Sequence, residues 1–464
     1  MELMRNLISA RYAFVGCAAF SILAGCGGSS SVGPSVLSGG SGVAPTRSHN
    51  YQVLYRFQGG RDGYYPVAGL LAENGQFFGT TDGGGGFGNG TAFKISPSGT
   101  KNIIYNFQGY PADGIAPEAG LTAGPNGVLY GATLFGGGTG VCASGPGCGI
   151  VYELVPSGSG YAEKVIHAFS GGNDGAFPAG TLLLDQSGAL YGTTLDGGGS
   201  QGCINPPSYT TGCGTVFKLT PAGSSFTESI LYSFQGGNDG GTPRAGLIAD
   251  GTGALYGTTE FGGANASACT SPSGVAGCGT VFKLTPSGSV YNETILYRFQ
   301  GGTDGAVPRS RLLAGSNGTL FGVTERGGAV GTSTNHGTVY ELTPWGSGYF
   351  ESIILRFRNK GDAFGFDENG LYADGQHNLY GTTASGGNDR RTSCGVVFEL
   401  HSANGFQYTS LYKFEGLRAG QRDGCAPIAG LVTDSSGTLY GTTEDGGHRG
   451  GRHHGWGTVY KLSP

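Results

Sequence analysis

The stretch Ile230–Pro286 opens ILYSFQGGNDGGTPRAGLIADGTGALYGTTEFGG and, after a variable insert, closes on GCGTVFKLTP. Four short apolar runs lie in it: Ile230–Phe234, Ala245–Ala249, Ala254–Thr259 and Thr280–Leu284. Each is rich in β-branched or aromatic residues and is bounded by Gly, Pro, Asn or Asp, the signature of strands separated by tight turns. The stretch therefore reads as one four-stranded antiparallel unit.

The unit recurs along the chain. The Phe closing its first run returns at Phe57, Phe107, Phe169, Phe234, Phe299, Phe357 and Phe414, at intervals of 50, 62, 65, 65, 58 and 57 residues. The LYG-like run returns at Phe77-Phe78-Gly79, Leu129-Tyr130-Gly131, Leu190-Tyr191-Gly192, Leu255-Tyr256-Gly257, Leu320-Phe321-Gly322, Leu379-Tyr380-Gly381 and Leu439-Tyr440-Gly441. Both series give seven units. Four strands per repeat is the pattern of a β-propeller blade, whereas β-solenoid repeats are about 20–30 residues long. The fold class expected is all-β, a seven-bladed propeller over residues 51–464.

The composition fits. Gly accounts for 96 of 464 residues and Pro for 20. Such a level can mark disorder, but here the glycines fall in register between aromatic strands and read as turns. A net charge of −5 with 26 Lys and Arg argues against a nucleic-acid partner.

The register predicts how the ring closes. The folded part begins with a lone strand, Val53–Phe57, and ends on Thr458-Val459-Tyr460-Lys461-Leu462 with no LYxF run after it. With AGL-type runs innermost, LYGTT second, GTVFKL third and LYxF outermost, the last blade takes its outer strand from the N-terminus. Closure of this kind removes an open sheet edge. The small pairs Ala68-Gly69, Ala119-Gly120, Ala245-Gly246 and Ala429-Gly430 suit a crowded axis.

Residues 1–25 read as an export signal: Arg5 and Arg11, then an apolar run from Tyr12 to Leu23, too short to span a membrane comfortably. The run ends Leu23-Ala24-Gly25-Cys26, which resembles the lipobox of bacterial lipoproteins. That resemblance implies lipidation at Cys26, and Gly27 in place of Asp implies the outer membrane or cell surface of the envelope. Residues 26–50 form a Gly/Ser-rich tether reaching roughly 25–30 Å for a flexible chain of this length.

Alternating strands bring two loop sets to one face: the GGxDG loops entering each blade and the long inserts between second and third strands. Rigid scaffolds usually carry function on such loops. Asp62, Asp113, Asp174, Asp239, Asp304, Asp362 and Asp423 recur there. They could form a ring of carboxylates for a cation or glycan. Seven copies point rather to turn chemistry, in which Asp accepts backbone N–H bonds. The paired threonines after LYG, such as Thr258-Thr259, have no recurring base beside them and read as turn supports.

Blades five and six break the pattern. Arg311 replaces an inner Gly, Arg309 lies beside it, Asp367, Glu368 and Asn369 replace Pro-x-Ala, and Glu325 and Arg326 extend the polar set. A local departure from a repeat is where a site could lie. Arg309, Arg311, Glu325, Arg326, Asp367 and Glu368 are thus the candidate binding residues. His448, His453 and His454 share an insert with Arg449, Arg452 and Trp456, but no Cys or carboxylate completes a usual metal spacing. No cofactor, metal or catalytic residue is assigned. Once Cys17 leaves with the signal and Cys26 is lipidated, eight cysteines remain. Even numbers in exported chains imply disulfides. Cys142–Cys148, Cys203–Cys213 and Cys269–Cys278 each fall within one insert. Cys394 and Cys425, on the same face with no nearer partners, would join blade six to the loop entering blade seven.

The recurring LYGTTxxGGxxxxGTVFKLTP resembles the GloVer (Gloeo_Verruco) tandem repeat of bacterial choice-of-anchor proteins, from about Tyr51 to Pro464. The resemblance implies an exported or surface protein and transfers no catalytic residue. The function expected is a surface-tethered binding or interaction module for a glycan, a peptide or an envelope partner. The alternative is a propeller enzyme acting on extracellular polysaccharide. Membrane attachment would be through the lipid. Metabolic labelling with palmitate should mark the wild-type protein and be lost in Cys26→Ser; labelling retained by the variant would contradict lipidation at this residue.

Overall fold

Seven small antiparallel sheets carry the chain, each hydrogen-bonded in the order innermost, second, third, outermost strand. The computed structural model describes residues 49–138, 142, 145–158, 160–200, 202–203, 212–263, 269, 276–288, 290–328, 336–346, 348–357, 370–387, 394–403, 405–416, 422–447 and 455–464. Cys26, Asp362, Asp367, Glu368, His448, His453 and His454 lie outside the described residues, as do Arg449 and Arg452. Blade four is representative: Ile248–Ala249, Leu255–Thr259, Thr280–Ser287 and Val290–Arg298. Among the described residues no helix is long and apolar enough to cross a membrane.

The ring closes as the sequence register implies. Asn50–Arg56 pairs antiparallel with Thr458–Ser463, completing the seventh sheet with Leu439–Thr443 and Val432–Thr433. All four expected cysteine pairs are disulfides: Cys142–Cys148, Cys203–Cys213, Cys269–Cys278 and Cys394–Cys425. Such bonds persist in oxidising compartments, which points to an exported protein.

Each outer strand carries one bulge at the same place. In blade three Val216 faces Tyr232 but Phe217 faces Ile230, so Leu231 is the extra residue; the other six blades shift at the matching step. The bulge explains why ILYSF does not alternate: one inserted residue resets which side chains face inward. It sends Tyr232 and Phe234 toward the next blade.

The innermost strands are shorter than the apolar runs suggest. Only Ile248–Ala249 of Ala245–Ala249 joins the ladder. The Ala-Gly pair ahead of it is occupied by the neighbouring blade. A Cβ on Gly180 would lie 2.7 Å from the Ala245 carbonyl carbon, and one on Gly246 would lie 2.6 Å from the Thr181 oxygen. In several blades the first Thr of the pair completes this contact. Thr193, Thr382 and Thr442 donate across the seam to the carbonyls of Ala245, Ala429 and Ala68 at 3.1–3.3 Å. The second Thr bonds the residue that starts its own third strand, as Thr259 does with Thr280 at 2.8 Å and Thr383 with the Val396 N–H at 3.1 Å.

Blades meet through aromatic pairs. The outer-strand Phe of one blade packs edge-to-face on the third-strand ring of the next: Phe57–Phe93, Phe107–Tyr152, Phe169–Phe217, Phe234–Phe282, Phe299–Tyr340, Phe357–Phe398 and Phe414–Tyr460. Centroids lie 5.0–5.7 Å apart. All of these rings are buried.

A second device repeats at each described entry loop. Tyr65, Ala116, Phe177, Thr242, Val307 and Ala426, each the residue before a Pro, hold φ of 55–63°. Left-handed backbone is costly for such residues, on the order of 1–3 kcal/mol, unless the surroundings enforce it. Here each N–H donates to a carbonyl of the preceding blade's insert, for example Thr242 to Cys213 at 2.8 Å and Val307 to Cys278 at 2.8 Å. Irregular backbone is thus what ties one blade to the next on the insert-bearing face.

Candidate functional site

The position after Pro in each entry loop holds Val67, Glu118, Ala179, Arg244, Arg309, Glu368 and Ile428 in blades one to seven. The position after the Thr pair holds Asp82, Leu134, Leu195, Glu260, Glu325, Ala384 and Glu444. Their charged members meet near the inner strands. Arg309 Nε lies 2.9 Å from Glu260 Oε1, and its Nη1 lies 2.8 Å from Glu325 Oε2. One guanidinium thus links the second strands of blades four and five. Glu260 is buried, with a side chain only 5% exposed. Arg326, half-exposed, reaches the other oxygen of Glu325 at 3.4 Å.

Arg244 of blade four pairs with Glu118 of blade two at 2.9 Å, reaching past blade three, where Ala179 stands at the same position. Both side chains are 11% exposed. A small residue in blade three is what lets the pair meet.

Arg311 differs from both. It replaces the inner glycine, and blade six runs against its backbone: a Cβ on Gly370 would lie 2.3 Å from the Arg311 carbonyl oxygen. Its Nε is shut off from solvent and makes no hydrogen bond. Among the described residues no carboxylate pairs with it. Burial lowers its pKa, the sign of a cation held where charge is poorly solvated. The structure therefore brings Arg309, Glu325 and Arg326 into one cluster and leaves Arg311 separate and unbonded.

The recurring Asp residues sit elsewhere. Each described one lies between the outer strands of neighbouring blades and is saturated by turn contacts. Asp239 accepts from the Tyr232 hydroxyl at 2.7 Å and from the Gln235 N–H at 2.6 Å. Asp62, Asp113, Asp304 and Asp423 repeat the pattern with Tyr55, Tyr105, Tyr297 and Tyr412. Asp174 has His167 in the place of Tyr, at 3.1 Å.

A residue of the following blade completes each seam. At Asp62 it is Lys101, an ion pair at 2.8 Å. At Asp113, Asp174, Asp239 and Asp304 it is a second acid: Glu163, Glu228, Glu293 and Glu351. Burial and the adjacent Asp push Glu163, Glu293 and Glu351 up to about 8 and Glu228 to about 9. A glutamate buried beside an ionised Asp resists losing its proton, so each pair carries one proton rather than two negative charges. In sequence these glutamates lie four residues ahead of one outer-strand position, held by His167, Tyr232, Tyr297 and Leu355. They are legible only when the repeats are aligned on that position.

A model of the Gloeobacter/Verrucomicrobia repeat matches residues 42–205, 140–269 and 266–464. No curated protein matches the chain. Among solved structures, a putative 6-phosphogluconolactonase from Bacteroides uniformis is 13% identical, with a TM-score of 0.48 over 80% of this chain and 88% of that one. A putative oxidoreductase (glucose dehydrogenase) from Thermus thermophilus is 14% identical, with a TM-score of 0.43 over 89% and 99%. A puromycin hydrolase is 10% identical, with a TM-score of 0.47 over 83% and 50%. Identities of this size speak to fold alone.

The acid pairs make stability pH-dependent with a definite sign. A glutamate whose folded pKa is raised binds a proton that the unfolded chain, at about 4.3, has released. Its contribution is complete below the unfolded value and is lost as pH rises through the folded one, near 8. Melting temperature should therefore fall between about pH 5 and pH 9. Glu293→Gln, which keeps a donor for Asp239, should flatten that fall. A melting temperature that rises across this window would contradict shared protons at the seams.

Proposed function

Since the chain belongs to the Gloeobacter/Verrucomicrobia repeat family, we propose that it is a binding module, tethered to the cell envelope through a lipidated Cys26, that recognises a carboxylate-bearing glycan or peptide at the inner end of blades five and six. The domain division follows: residues 1–25 signal, 26–50 tether and 51–464 propeller. Outer-membrane or surface placement follows from Gly27 behind the Cys. The observation that carries the binding reading is Arg311, a cation in the innermost layer with no described partner. An unpaired buried guanidinium is costly, and an arriving carboxylate removes that cost with bidentate hydrogen bonds. Arg309, Glu260 and Glu325 form a stiff wall beside it.

The polysaccharide-enzyme alternative needs a pair of free carboxyl groups, one acid and one base. The nearest described pair, Glu260 and Glu325, is held by a single Arg309, which favours a scaffold over a proton-transfer site.

Calorimetry against uronic-acid oligosaccharides, neutral oligosaccharides and acidic peptides tests the reading. Arg311→Gly restores the residue that five of the other six blades carry at this position and should fold. It is expected to weaken binding of the acidic ligand at least about tenfold, equivalent to about 1.4 kcal/mol. Affinity unchanged in Arg311→Gly, or a preference for neutral sugars, would move the site elsewhere.

A further inference from the structure

Five of the six described seams carry Tyr beside the recurring Asp, and one carries His. That seam lies between blades two and three. There we propose a divalent-metal site, with His167, Asp174 and Glu228 as ligands to zinc or a similar late first-row cation.

The geometry is that of a ligand set. His167 Nε2 faces Asp174 Oδ1 at 3.1 Å and Glu228 Oε1 at 3.5 Å, and the three ligand atoms lie within 4.8 Å of one another. Tetrahedral zinc with N and O ligands at about 2.0–2.1 Å has ligand–ligand edges of about 3.3 Å. The two edges from His167, 3.1 and 3.5 Å, already stand near that spacing. Oε1 of Glu228 is shut off from solvent and accepts no hydrogen bond. The other oxygen of Asp174 takes the N–H and hydroxyl of Ser170, which fixes the carboxylate and leaves Oδ1 toward the histidine. The His167 ring is held edge-on against Phe169, with centroids 4.7 Å apart. Side-chain exposures of 17–21% leave an entry path and room for water as the fourth ligand.

The sister seams show why the histidine decides. At Asp113, Asp239 and Asp304 a Glu is also present, but the third group is the phenol of Tyr105, Tyr232 or Tyr297, which donates to the Asp. Burial pushes those phenols well up, so they stay protonated and do not ligate. A neutral imidazole needs no such deprotonation and is the commonest nitrogen ligand for zinc. A bound cation requires both carboxylates ionised, so protons compete with it for Asp174 and Glu228. Affinity should accordingly rise with pH. Zinc suits this mix of one nitrogen and two carboxylate ligands better than the all-oxygen sets calcium prefers.

The test uses the full chain, stripped with EDTA and titrated with zinc chloride in a calorimeter. His167→Tyr converts this seam into the form its sisters take, so it should fold. The wild type is expected to bind one zinc ion more per chain than His167→Tyr. Zinc should raise the melting temperature of the wild type alone. Glu228→Gln, which keeps the shape and removes the charge, should bind that ion at least tenfold more weakly. Absence of zinc binding by the wild type, or equal stoichiometry and affinity in His167→Tyr, would overturn the proposal.

Discussion

An aromatic ring laid over a glycine joins each blade to its neighbour. In blade four the Phe282 ring crosses the second strand at Gly257, where a Cβ would lie 2.6 Å from Cζ. Its edge meets Phe234 of blade three at 5.1 Å. The same three-part contact recurs at all seven seams. Edge-to-face pairs contribute about 0.5–1.5 kcal/mol each beyond the area they bury. Seven of them are comparable with the roughly 5–15 kcal/mol by which a domain is stable. A four-stranded sheet two to nine residues long per strand has little core of its own. These seams are the core.

Everything polar is arranged around that constraint. Because the rings fill the middle of each seam, charged groups are confined to its two ends. At the outer end the recurring Asp closes a turn against Tyr or His and is met from the next blade by Lys101, a protonated Glu or, at Asp423, Tyr51. At the inner end Arg309 and Arg244 are neutralised by buried glutamates. Six left-handed residues before proline hold the insert-bearing face in register. A surface built this way is stiff, and stiffness is what a binding site made of loops requires.

The architecture was legible because its causes are local and repeated. Turn glycines, strand alternation and the lack of an LYxF run after Leu462 together imply blade number and ring closure. Cysteine position within each insert implies the four disulfides. The bulge in ILYSF and the two-residue inner strands were not legible, since both arise from contacts with a neighbouring blade. The site was legible only in part. Arg309, Glu325 and Arg326 stood out as departures from the repeat, and they do cluster. Glu260 and the Arg244–Glu118 pair did not stand out, because each looks ordinary within its own blade. Their signal lies in reading one column across seven repeats. His167 is the same kind of case: one of two departures, with Leu355, from a column of tyrosines, and the one that brings a metal-ligating side chain.

The claim that the seam is the structural unit rests on steric contact that a single methyl group can probe. Gly257 has an ordinary backbone conformation, so Gly257→Ala adds only steric collisions, the tightest with Phe282 at 2.6 Å and a second with Leu247 at 2.9 Å. Gly251 lies in the same blade with nothing near a prospective Cβ and serves as the control. Denaturant unfolding should show Gly257→Ala losing about 1–3 kcal/mol, the usual cost of overpacking, while Gly251→Ala stays within about 0.5 kcal/mol of wild type. Combining Gly257→Ala with Phe282→Leu should cost less than the two changes summed, because the smaller side chain makes room for the methyl. Equal, small effects at both glycines, or strict additivity with Phe282→Leu, would contradict the account.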